Sequence, residues 1–136
     1  MGGDMNVMVN YLAVVVAAVA GFLLGWGWYM AFGKAWKEAL GRQEGDCKPT
    51  PTPFIFAGLG SLLMAWMLAG LMGHLANVTV RGGLITAFFV WAGFVLTTTV
   101  VNQQFHGTKP LVTIIDAGHW LAVLLLMGAI VGAFGT

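Results

Sequence analysis

Asp116 and His119 stand three residues apart in "VTIIDAGHW", inside an otherwise apolar run. At helical spacing the two share a face. A carboxylate and an imidazole so placed can join a hydrogen-bonding network, handle a proton or an ion, or meet a small molecule or lipid headgroup. An imidazole titrates near ~6.5 when unperturbed, so His119 suits a relay as well as a plain hydrogen bond. Asn102 and Gln103 close the preceding apolar run in "TTTVVNQQ". Trp28, Tyr29 and Lys34 lie at the end of the first, in "WGWYMAFGK". Six residues from Pro110 to Asp116 amount to ~9 Å of helix rise, which brings Asp116 to the depth of all these groups. The candidate cluster, structural or ion- or ligand-binding, is therefore Asp116, His119, Asn102, Gln103, Tyr29, Lys34 and Trp28.

Other chemistry finds little footing. No nucleophile beside a base, phosphate loop or metal-spaced cluster occurs, so no catalytic residue, metal site or cofactor is assigned and an enzyme is not expected. The single cysteine, Cys47, excludes an intrachain disulfide and a multi-cysteine metal site. His74 and His119 differ in depth by ~15–20 Å, too far for one haem iron to take both. His74 pairs instead with nearby Asn77. A net charge of +1 offers no nucleic-acid footprint.

What positions these residues is membrane helix. The 136-residue chain is 59% hydrophobic and 8% charged, against roughly 25% charged in a soluble domain. Four runs reach the ~20 apolar residues that a spanning helix needs. They cover about residues 8–32, 53–75, 83–104 and 111–134, with a linker at 33–52. The fold class is an all-α bundle of four membrane helices, and the short links make consecutive spans antiparallel neighbours. The first run lacks a basic leader and is too long for a signal peptide, so it reads as a retained span. "MGGDMN" departs from a myristoylation start at Asn6. "GKAWKEALG" reads as a short interfacial helix, with "RQEGDCKPTPTP" an extended linker behind it. Thr97, Thr98 and Thr99 are expected to bond carbonyls one turn back and bend the third span.

Lys34, Lys37, Arg42 and Lys48 follow the first span, and Lys109 follows the third. Positive charge marks the cytoplasmic side. Both termini are therefore expected outside, in the periplasm of a bacterial inner membrane. Cys47 then sits in a reducing compartment.

Small residues recur at steps of four. The first span carries Ala13, Ala17, Gly21 and Gly25, and the second carries Ala57, Ser61, Ala65, Ala69 and Gly73. Such stripes let helices approach closely where lipid supplies no hydrophobic force. They face either each other or a partner chain. The fourth span holds a broken version in Gly118, Ala122, Gly128 and Gly132.

Several stretches together resemble one family. They are "NYLAVVVAAVAGFLLGWGWY", "FGKAW", an Asn-led end to the third span, "IDAGHW" and "LLLMGAIVG". In order and spacing, from about Asn10 to Gly132, they are similar to bacterial membrane proteins of domain-of-unknown-function family 1761. The positions that match are Trp28, Tyr29, Phe32, Gly33, Lys34, Trp36, Asn102, Phe105, Asp116 and Gly118. The family often has Ser-Pro and extra residues between Trp-Tyr and Phe-Gly-Lys. Here Tyr29-Met30-Ala31-Phe32 is shorter and lacks the proline, so the first span can run straight into Lys34. The resemblance implies a four-span inner-membrane protein and no activity.

The residues then favour an interaction protein in the lipid bilayer, either a homo-oligomer or an accessory subunit of a membrane complex. A small transporter or channel that uses Asp116 and Asn102 is the alternative. A lipid or pigment binder is the third reading.

Overall fold

A computed structural model describes residues 9–42 and 50–135. The readings placed on Met8, Cys47 and Lys48, and on the chain start, lie outside these residues. All four long elements are helices, and each is long and apolar enough to cross a membrane. They are α1 (Tyr11–Ala39), α2 (Pro51–His74), α3 (Val80–Phe105) and α4 (Pro110–Phe134).

Local chemistry sets where each begins. The Asn10 side chain accepts from the Ala13 amide at 3.2 Å and caps α1. Thr79 does the same for α3 through Gly82 N at 2.9 Å. Pro51 and Pro110 open α2 and α4, where a missing N–H costs nothing. No break follows Phe32. α1 runs 29 residues to Ala39, so the stretch from Lys34 is the last part of that helix rather than a separate interfacial one. Nothing between Phe32 and Ala39 stops a helix, since proline is absent there.

Three helices end alike. Gly41, Ala76 and Gly107 follow α1, α2 and α3 with φ of 77°, 54° and 70°. Their neighbours' amides reach back, Arg42 to Lys37 O at 2.9 Å, Asn77 to Met72 O at 3.1 Å and Thr108 to Gln103 O at 2.9 Å. This left-handed closure satisfies the last carbonyls of each helix.

α4 is the hub of the bundle. It packs along α1 and along α3, whereas α2 lies against α1 and touches α3 and α4 lightly. Gly83 of α3 meets Gly128 of α4 backbone to backbone, and Gly132 meets Thr79. Gly21 of α1 faces Val123 and Met127 of α4, and Gly25 faces His119. Rising numbers on α1 and α3 thus meet falling numbers on α4, so both run antiparallel to it. α2 connects the far end of α1 to the near end of α3 and is antiparallel to both.

The stripe on α1 is spent inside the chain. Ala13, Ala17, Gly21 and Gly25 are all buried, and its two glycines take α4 rather than α2 as neighbour. On α2, Ser61, Ala65 and Ala69 are buried, Gly73 is half-buried and Ala57 is exposed. The α2 stripe therefore packs only from Ser61 onward. Ala17, Ala65, Leu68, Met72, Val123 and Met127 belong, with Ala87 of α3, to one core that all four helices share.

α3 is not a uniform α-helix. Trp91–Val95 forms a π turn. Thr97 Oγ1 donates to Gly93 O at 2.8 Å, and Thr98 Oγ1 donates to Phe94 O at 2.6 Å and Val95 O at 3.1 Å. The hydroxyls serve the carbonyls that the wider turn loosens.

Candidate functional site: a carboxylate tied to three helices

Asp116 sits in the second turn of α4, half-buried. Its Oδ1 accepts from the Tyr29 hydroxyl at 2.5 Å and from Trp36 Nε1 at 2.9 Å. Its Oδ2 accepts from Gln103 Nε2 at 2.9 Å. Two donors come from α1 and one from α3, so a single carboxylate joins three helices. Gln103 is itself oriented, because the Thr113 hydroxyl donates to its Oε1 and leaves the amide nitrogen turned to Asp116.

The α1 donors reach the site because residues at steps of three and four share a face. Gly25, Trp28, Tyr29, Phe32 and Trp36 follow that spacing. Trp28 Nε1 donates to Ile115 O at 3.1 Å, and Gly118 leaves room for its ring. Trp91 of α3 donates to Ala117 O at 2.8 Å. Indoles from both sides thus bracket the carboxylate by bonding the carbonyls before and after it. The Arg42 guanidinium lies 5.9 Å over the Trp36 ring.

His119 is buried one turn further along α4. Its ring stands 5.0 Å from Tyr29 and 4.4 Å from Trp120, between centroids. It fills the notch that Gly25 leaves open. Its Nδ1 is buried with no hydrogen-bond partner among the described residues.

Of the residues expected at this site, the structure brings together Asp116, Tyr29 and Gln103, with Trp28 and His119 against them. Asn102 and Lys34 are exposed, and neither is hydrogen-bonded to Asp116. Depth alone places Asn102 near the cluster, but its direction around α3 turns it away from α4 to the outside of the bundle. Trp36 and Thr113 are the members that sequence reasoning misses. Trp36 carries a usable signal, lying seven residues after Tyr29 on the same helical face. His74 is exposed at the end of α2, and Asn77 Oδ1 accepts from Thr79 at 3.0 Å rather than from His74.

The donor set decides what the site can do. The Tyr29 hydroxyl, the Trp36 indole and the Gln103 amide all donate to its carboxyl oxygens. Hydrogen bonds to a polar group within an apolar helix offset much of the cost of placing it there. Among the described residues, no group of three or more His, Cys, Asp or Glu side chains comes together.

No curated protein and no solved structure matches the chain. A family model does, over residues 12–132, which takes in every side chain of the Asp116 cluster. The chain belongs to the family described as "Protein of unknown function (DUF1761)".

Proposed function

We propose that this chain is a non-enzymatic protein of a bacterial inner membrane. It acts by contact within the bilayer, as a homo-oligomer or as an accessory subunit of a larger membrane complex. The observation that carries this reading is the closure of the Asp116 set. All its partners come from the chain's own α1 and α3. A carboxylate so tied works as a lock that orients helices. The lock leaves the outer faces of α2 and α3 for other proteins. Phe54, Phe56, Phe88, Phe89 and Phe94 are exposed there.

Charge supports the orientation. Lys34 and Lys37 near the end of α1 and Lys109 before α4 stand at the same end of the bundle. That end faces the cytoplasm by the positive-inside rule, and both chain ends face the periplasm.

Proton or ion handling at Asp116 is the second reading. It is favoured by the unpartnered Nδ1 of His119 one turn away. Native mass spectrometry in mild detergent, with liposome flux on parent and Asp116→Asn protein, separates the two. The contact reading expects a defined oligomer or a companion protein, and no flux from either form. A flux that Asp116→Asn abolishes while assembly stays intact sinks it and establishes the second reading.

A further inference from the structure

The inward face of α3 repeats every fourth residue. Gly83 and Ala87 are buried, and Trp91, Val95, Thr99 and Gln103 are half-buried. Phe94, Thr98, Val101 and Asn102 between them, and Phe105 beyond, are exposed. In an α-helix each step of four overshoots a turn by ~40°, so five steps carry the stripe ~200° around the axis. Gln103 would then point away from α4. The π turn at Trp91–Val95 takes one extra residue, ~100° of α-helical rotation, and returns about half of that drift. It is this turn that sets Gln103 rather than Asn102 against Asp116.

The extra residue has a second seat. If the wide turn passes along α3 beyond Gln104, every residue between moves into the place of its successor. Asn102 takes the place of Gln103, Thr98 that of Thr99, Val100 that of Val101, and Gln103 that of Gln104. The sequence "TTTVVNQQ" is written in runs that make these exchanges like for like, and only Thr99 into the place of Val100 and Val101 into that of Asn102 change the type of side chain. A threonine follows a threonine, a valine a valine and a carboxamide a carboxamide. Asn102 brings to Asp116 the same donor group on a shorter stem.

The half-span is free to make the move. No residue of Leu96–Phe105 is buried. Gln103 holds it to α4 through Thr113 and Asp116. Thr97 and Thr98 already satisfy loosened carbonyls, and Thr99 can do so as the turn advances, so no backbone group is stranded in lipid. A Cβ on Gly93, inside the turn, meets nothing within 4 Å.

We propose that the π turn of α3 is a movable register element with two seats. One offers Gln103 to Asp116 and the other offers Asn102. Its passage rotates the second half of α3 by ~100° and changes the face that Thr97–Phe105 presents to the bilayer. This device stands on α3 alone and does not depend on the contact role proposed above.

The test is nuclear magnetic resonance of the full-length protein in detergent micelles, with nitrogen-15 label in backbone and carboxamides. The expected result is microsecond-to-millisecond exchange in the amides beyond Trp91 and in the Asn102 and Gln103 carboxamides. Deleting Gly93 removes the extra residue and leaves each later residue in its present place. It is expected to abolish the exchange and keep Gln103 on Asp116. No exchange in the parent protein, or exchange that survives the deletion, overturns the proposal. Should the deleted chain fail to fold, Gln103→Ala decides. Asn102 is then expected to take over the downfield carboxamide shift of Gln103, and an unmoved Asn102 signal overturns the proposal.

Discussion

Asp116 gains its place through partners chosen for what they cannot do. Tyr29, Trp36 and Gln103 bring neutral donors to it, so its oxygens are satisfied without a second ionisable group. The same economy governs the glycines of the α3–α4 contact. A Cβ on Gly83 would fall on the backbone of Gly128, which cannot swing aside as a side chain can. Gly83→Ala is therefore expected to cost at least about 1–3 kcal/mol. Gly27→Ala, where a Cβ meets nothing within 4 Å, should cost nothing. Unfolding of both variants in mixed micelles, followed by tryptophan fluorescence, checks the contrast, and equal midpoints refute it. At this scale the sequence reads depth well and direction badly. Rise per residue is enough to put Tyr29 and Gln103 level with Asp116. It also puts Asn102 there, since neighbours on a helix share depth but differ by ~100° in direction.

Among the elements, the helix ends expose a strained position. Gly41 and Gly107 hold their left-handed φ without a side chain, but Ala76 holds φ 54° with a Cβ. An L-residue with a Cβ gives up roughly 1–2 kcal/mol in that conformation. Ala76→Gly relieves this, less the backbone freedom that glycine adds to the unfolded chain. The expected gain is about 0.5–1 kcal/mol, visible as a higher unfolding midpoint; a lower one would show that the Ala76 methyl does more by packing than it costs in strain. Existence and number of the helices were legible, because a run of ~20 apolar residues has one solution in lipid. The run of α1 into Lys34 was legible in the missing proline; its continuation to Ala39 as one helix was not, because the shift from apolar to charged residues at Lys34 looks like an ending. Composition marks where lipid stops, and a helix does not have to stop with it. The π turn was beyond reach for another reason. It alters one residue's phase, which no average over a window can register. The threonines expected to bond one turn back serve the carbonyls of that turn at Thr97 and Thr98, a use that appears only once the direction of Gln103 is known.

Across the whole molecule, the order of packing differs from the order of the chain. α2 and α3 adjoin in sequence through the Leu75–Thr79 link, yet they barely touch. The contacts that close the bundle run from α1 to α4, between the chain's first helix and its last. Gly21 and Gly25 lie in that seam, and so do the Tyr29 and Trp36 bonds to Asp116. The small-residue stripe on α1 was expected to meet either α2 or another protein, and its glycines instead hold the two halves of one chain together. This leads to a decisive experiment on assembly. A chain cut between Ala76 and Asn77 and expressed as two halves should reassemble in the membrane, since the closing seam crosses the cut. The halves are expected to co-purify. Gly25→Leu in the first half drives a side chain into His119, whose Nε2 would lie 2.6 Å from the new Cβ, and should release the second half. Gly58→Leu, at a position with nothing within 4 Å, should leave the halves together. Release by both variants, or by neither, would move the seam elsewhere, onto α2 with its light contacts to α3 and α4. Release by Gly25→Leu alone would make α1 the element that recruits α4, and the Asp116 cluster the lock that forms when they meet.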